Sequence, residues 1–287
     1  MIKECVSVTI DDDCDAFDPT RLFINNGSQH WSKNFEDGYP LDKYLDHAYI
    51  PKLTWRLPTD IERTLLFTKS AHDSAKHIGI IKLPKSMMSD FIEIGIHRTD
   101  SYQDLIHLHN TAKFKQALTN IILYLDRYFN DPSSIVFKQI GHRPPGLVSA
   151  TFDTVQQLYV GLHFDSFDTH NPLNVRHLSQ NRISINMGRG ERWLYFINLD
   201  VKTICSMLNI DINDPEKKIG FLQRAFFQSF SQYPVCRVRI DPGEAYIAPT
   251  ENILHDGTTL FTDTDDLTMV VHGDISIQSL YGESSYD

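Results

Sequence analysis

The sequence predicts a mainly β fold with supporting helices: a sandwich or jelly-roll barrel core, an N-terminal α/β support and one helical insertion. Three observations carry this expectation. After "GHRPPG" (141–146) the apolar residues recur with a period of two in short runs separated by turn residues. Between 102 and 129 they recur at three or four residues instead. A second helical stretch, 201–231, interrupts the β region.

The elements follow in chain order. "RLFINN" and "HIGIIKLP" are dense in apolar and β-branched residues and read as strands, punctuated by Pro51, Pro58 and Pro84. In the helix predicted over 102–129, Leu105, Ile106, His109, Ala112, Ala117, Ile121, Leu125 and Tyr128 form one face. Asn130-Asp131-Pro132 ends it. Strands are expected at 147–152, 157–165, 181–187, 192–199, 235–240, 244–249 and 267–273. In the insertion, "VKTICSMLN" is one helix, and Pro215, capped by Asp214, is expected to open the next. The whole is read as a single domain over 1–287, with residues 1–146 as support and 147–277 as core.

Composition narrows the function. The 287 residues are 41% hydrophobic and 22% charged, the profile of a globular chain. The net charge is -10, which argues against nucleic-acid or anionic membrane partners. There is no run of 18 apolar residues, and the N-terminus turns acidic at "DDDCD", read as a solvated turn. Cys5, Cys14, Cys205 and Cys236 have no regular spacing and are read as free thiols in a reducing cytoplasm.

The stretch "GLHFDSFD" (161–168) raises a chemical question, because His163 and Asp165 interrupt an apolar run. In a strand they would share one face with Tyr159. A buried carboxylate there must be paired or bind a metal. The pair alone is uninformative: thirteen histidines and 37 acids in 287 residues give about 1.7 such pairs by chance, and His272-Gly273-Asp274 is another. A third ligand changes this. In "DPGEAYIAPTENILHDGTT" (241–259), His255 lies on a segment that could run antiparallel to His163. Two histidines and a carboxylate on one face of a metal are the facial triad of non-haem iron(II) oxygenases.

"GLHFDSFD", "NRISINMGRGERWLYFIN", "DPGEAYIAPTENILHDGTT" and "LTMVVHGDI" together resemble the iron(II)/2-oxoglutarate-dependent oxygenase superfamily, over roughly 147–277. The resemblance implies a double-stranded β-helix (jelly-roll, cupin-like) core, with His163, Asp165 and His255 as iron ligands and catalytic centre. It implies Fe(II), 2-oxoglutarate and O2 as cofactor and cosubstrates, and hydroxylation of an unactivated C–H bond. The retained Asp165 argues against halogenation. Many members place an arginine ten to fifteen residues after the distal histidine. This chain has no Arg or Lys after Arg239, and Thr268 and His272 occupy that region. Some branches, the JmjC-like hydroxylases among them, take the basic group from nearer the HxD motif, so Arg182 is expected to bind the 2-oxoglutarate 5-carboxylate. Arg192 ranks second, with Thr268 adding a hydroxyl and Tyr195 facing the cavity.

The expected substrate is a small molecule, an amino acid or natural-product intermediate. The alternatives are a JmjC-like peptide or protein hydroxylase, and a cupin-like metal enzyme or binding protein that does not use 2-oxoglutarate. Other residues have plainer readings. His170 and His177 fall in a polar loop, His272 suits packing near the site, and the aromatic residues Trp193, Phe196, Phe226, Phe227 and Phe230 suit a core.

Overall fold

The computed structural model describes residues 2–11, 13–14, 18–32, 43–68, 73–99, 102–167 and 171–275. The N-terminal part holds β1 (Ser7–Ile10), β2 (Leu22–Ile24), β3 (Ser28–His30), β4 (Tyr49–Pro51) and β5 (His77–Lys82). The remainder holds β6 (Val136–Arg143), β7 (Phe152–Asp153), β8 (Leu158–Tyr159), β9 (Asn181–Asn186) and β10 (Arg192–Asp200). It continues with β11 (Cys236–Ile240), β12 (Glu244–Ala248), β13 (Ile253–Thr258) and β14 (Asp266–Gly273). The α-helices are α1 (Asp60–Leu66), α2 (Lys85–Ile94), α3 (Tyr102–His109), α4 (Ala112–Leu125), α5 (Val201–Met207) and α6 (Ile219–Phe230).

Two sheets face each other. One has the order β1-β5-β12-β9-β14-β6 and the other β13-β10-β11-β2. From β9 onward the chain crosses to the smaller sheet for β10 and β11, returns for β12, crosses again for β13 and ends in the larger sheet with β14. Their inner faces meet in one apolar cluster, where Ile78, Ile80, Tyr246 and Ala248 face Leu194, Phe196, Val238 and Ile240. The outer face of the larger sheet, Ile183, Ile185, Met269 and Val271, packs on Phe91 of α2 and on Phe114, Ile121 and Leu125 of α4. The outer face of the smaller sheet, Ile197 and Leu199, packs on Ile204 of α5 and on Leu222, Phe226 and Phe227 of α6. The order is therefore helix, sheet, sheet, helix. Side chains that alternate along β9, β10 and β14 feed two cores at once, so these strands are buried along almost their whole length.

Several expected elements differ. The helix expected over 102–129 is two helices, because Thr111 caps a new one: its hydroxyl accepts from the Phe114 N–H at 3.2 Å. Thr111→Ala should lower stability by about 1 kcal/mol, read in a thermal melt against wild type. Pro215 does not open α6. Asp214 accepts from the Glu216 N–H at 2.9 Å in a separate turn, and the helix starts at Ile219. Strands 147–152 and 157–165 shrink to the β7–β8 hairpin, since Gly161 takes φ +75° and breaks the extended chain. β6 is not among the expected strands. "VFKQIGHR" is an edge strand whose only buried residue is Ile140, so its polar and apolar residues do not alternate cleanly. It pairs with β14 over Val136–Arg143, so the boundary drawn at residue 146 falls after a strand of the main sheet.

Candidate metal centre

The segment Leu162–Asp165 lies alongside β13 at its outer edge. His163 and His255 form an isolated antiparallel bridge, with the His163 N–H donating to the His255 carbonyl at 3.0 Å and the reverse bond at 2.9 Å. The Asp165 N–H donates to the Thr250 carbonyl at 3.0 Å. Buried Arg176 closes the far end. Its Nη1 donates to the Asp165 carbonyl at 2.8 Å and its Nη2 to the Ser166 hydroxyl at 3.1 Å. Nothing in the sequence singles out Arg176, because a backbone carbonyl and a loop hydroxyl leave no pattern in the sequence.

The side chains converge. His163 Nε2 is 3.5 Å from Asp165 Oδ1, His255 Nε2 is 3.6 Å from Asp165 Oδ2, and all three donor atoms lie within 4.8 Å of one another. His163 Nδ1 donates to the Gly161 carbonyl at 2.7 Å and His255 Nδ1 to the Ile253 carbonyl at 3.3 Å. Those bonds aim each Nε2 at the common centre, where a neutral ring offers its lone pair. His255 Nε2 is buried and has no hydrogen-bond partner among the described residues.

The electrostatics suit a cation. Burial opposes charging Asp165, but Arg182, His255 and His163 outweigh it and hold the carboxyl well below its ordinary range. Burial pushes His255 down to about 3, so it stays neutral and keeps its lone pair. Burial also works against charge on His163, yet its hydrogen bond to Asp165 and the nearby Asp256 raise it. A neutral imidazole, a second imidazole and a carboxylate held this close in a buried space favour a positive charge between them, whether a proton on His163 or a metal ion. The donor set, two nitrogens and an oxygen, fits a divalent transition metal and leaves positions open on one side.

A cleft of about 140 Å³ adjoins this centre, lined among others by Arg182, Ser184, Arg192, Tyr246, His255 and Thr268. Arg182 on β9 donates from Nη1 to Asp165 Oδ2 at 3.0 Å, so it is committed to the carboxylate of the triad. Arg192 heads β10. Its Nε is 3.5 Å from Asp266 Oδ1, and its buried Nη1 has no hydrogen-bond partner among the described residues. The Thr268 hydroxyl lies in the cleft and donates to Asp266 at 2.9 Å. Tyr195 does not face this space. It is on the outer face of β10, stacked on Trp55 with ring centroids 5.4 Å apart, because Leu194 and Phe196 take the inner face. His272, opposite Arg182 in the β9–β14 register, is buried with its ring 3.9 Å from that of Phe167. His177 is exposed, and His170 lies outside the described residues.

No family model matches the chain, and no curated protein matches it. Among solved structures the chain is similar to the Kdo hydroxylase KdoO, a non-heme Fe(II) alphaketoglutarate-dependent dioxygenase. For its apo form the TM-score is 0.37 at 13% identity, covering 69% of this chain and 79% of that one. For its cobalt(II) complex the TM-score is 0.37 at 13% identity, covering 69% and 80%. For its complex with alphaketoglutarate and Fe(III) the TM-score is 0.36 at 14% identity, covering 69% and 79%.

Proposed function

We propose that the protein is a non-haem iron(II), 2-oxoglutarate-dependent oxygenase that hydroxylates a C–H bond of a small molecule. The observation that carries this is the convergence of His163 Nε2, Asp165 Oδ1 and Oδ2, and His255 Nε2 at the mouth of a cleft walled by arginines. The repeated crossing of β9 to β14 between two facing sheets, with β10 and β11 as a pair in the smaller one, supports a double-stranded β-helix core. Free cysteines are in keeping with a cytoplasmic location. Among the described residues, no helix is long and apolar enough to cross a membrane.

His163, Asp165 and His255 would hold the iron. When bound, the metal and 2-oxoglutarate supply the oxidising chemistry that inserts one atom of O2 into the substrate. The chain's own contribution is positioning. Arg182 keeps Asp165 ionised and oriented. The arginines of the cleft attract a dianion and exclude a neutral competitor of the same shape.

Arg192 suits the far carboxylate of the cosubstrate better than Arg182 does, reversing the order expected from sequence. Arg182 donates from Nη1 to the triad carboxylate at 3.0 Å, whereas Arg192 meets Asp266 only from Nε at 3.5 Å and keeps its buried Nη1 without a hydrogen-bond partner among the described residues. Arg192 stands beside Gly257, where an added Cβ would meet its Nη2 at 2.9 Å. Gly257 is one two-residue step along β13 from His255, about 7 Å. That is the span of an extended five-carbon diacid between a metal and its distal carboxylate. The bare glycine leaves room for the guanidinium.

The test is direct. Anaerobic Fe(II) with 2-oxoglutarate should produce a weak visible absorption band, and air should then release succinate. Tight zinc, with neither band nor succinate, would favour a metallohydrolase. Arg192→Ala should raise the KM for 2-oxoglutarate by about 100-fold while Fe(II) binding survives, the cost of about one charged hydrogen-bond pair. An Arg182→Ala variant that has this phenotype when Arg192→Ala does not would return the role to Arg182.

A further inference from the structure

Asp256 is the buried carboxylate that the oxygenase reading leaves unused. It follows His255 on β13 and is 1% exposed. Successive strand residues point to opposite faces. With His255 turned between the sheets, Asp256 points to the other side. Its oxygens are held there by hydrogen-bond donors. The Ser149 hydroxyl donates to Oδ2. Oδ1 accepts from the Thr151 hydroxyl at 2.7 Å, from the Thr151 N–H at 3.3 Å and from the Gly257 N–H at 2.7 Å.

One of these contacts leads back to the metal centre. The Ser149 hydroxyl oxygen accepts from the Gly161 N–H at 3.1 Å. The Gly161 carbonyl accepts from His163 Nδ1 at 2.7 Å. A continuous run of hydrogen bonds therefore links Asp256, Ser149, Gly161 and His163. Its place in the fold gives it a task. His163 is joined to β13 by a single isolated bridge, because the left-handed turn at Gly161 ends the extended chain before it. The Asp165 N–H to Thr250 and the Leu162 N–H to Tyr49 hold the backbone on either side of the bridge. The contact from Ser149 fixes Gly161, whose carbonyl sets the His163 ring itself.

We propose that Asp256 is a positioning residue for the metal centre: through Ser149 and Gly161 it fixes the His163 ring opposite His255 before the metal arrives. The inference rests on the metal-dependent reading above. Outer partners of this kind orient the ligand and are worth about 10- to 100-fold in metal affinity.

The test uses Co(II) alone as probe, titrated anaerobically into the metal-free protein. Asp256→Asn and Ser149→Ala should each raise the Kd by about 10- to 100-fold. Thr151→Val removes a bond to the same carboxylate that does not lead to His163, and should change the Kd by less than about threefold. Far-ultraviolet dichroism and thermal melts of the metal-free variants check that each is folded at the titration temperature. If Asp256→Asn does not fold, Ser149→Ala carries the test. Unchanged affinity in both relay variants overturns the proposal, and so does a Thr151→Val loss of equal size. A wild-type protein that takes up no Co(II) overturns the metal-dependent reading instead.

Discussion

His255→Ala should lower succinate formation by about 1000-fold or more, the size of effect seen when an indispensable catalytic group is removed. The same substitution should cost the metal-free protein little stability. His255 Nε2 has no partner to lose among the described residues, and its Nδ1 bond to Ile253 is long at 3.3 Å. The contrast with Asp165→Ala is instructive. That change strips Arg182 of the carboxylate it meets at 3.0 Å and leaves a largely buried guanidinium unpaired. It should destabilise the metal-free protein by about 3 kcal/mol, as breaking a buried ion pair does. Denaturant melts of both variants, with and without Co(II), separate the two effects. Wild type should gain stability with the metal by mass action, and neither variant should. A His255→Ala protein that still gains as much would place the metal elsewhere.

Gly161→Ala should destabilise by about 2–4 kcal/mol, the range for a side chain forced into a disallowed backbone position against fixed atoms. Gly161 takes φ +75°, where only glycine is comfortable, and a Cβ there would lie 2.5 Å from the Tyr49 carbonyl oxygen. Backbone cannot move aside as a flexible side chain would. The Leu162 N–H also donates to that same carbonyl at 2.8 Å, so any shift breaks a second contact. Gly161 carries both bonds of the relay to His163, so metal affinity should fall along with the melting temperature. Co(II) affinity measured well below the melting point would show this. A variant that melts early yet binds metal normally would separate the turn from the ligand geometry.

Much of the site was legible in the sequence. His163, Asp165 and His255 stand out because ionisable groups in apolar strands demand a partner. The strands at 181–187, 192–199, 235–240, 244–249 and 267–273 are visible as apolar runs, and the structure has them within one or two residues. Other features were not legible, each for a stated reason. β6 is an edge strand, so half of its pattern answers to water rather than to a core. Tyr195 is turned outward because both faces of β10 are buried, so apolar patterning does not distinguish inside from outside. Asp214 has the local chemistry of a helix cap, which serves a turn just as well.

The sequence by itself therefore determined the chemistry offered: two imidazoles, one carboxylate, a set of arginines, and strands able to carry them. Such features are local, set by side-chain type and by periods of two or four residues. Only the tertiary structure decided which arginine meets which carboxylate and what holds the ligands in place. Arg182 reaches Asp165 across 17 positions, and Ser149 reaches Asp256 across 107. Contacts of that span depend on how two sheets stack and where the chain turns. They leave no periodic trace, because each is made once, between residues that have no local reason to be paired.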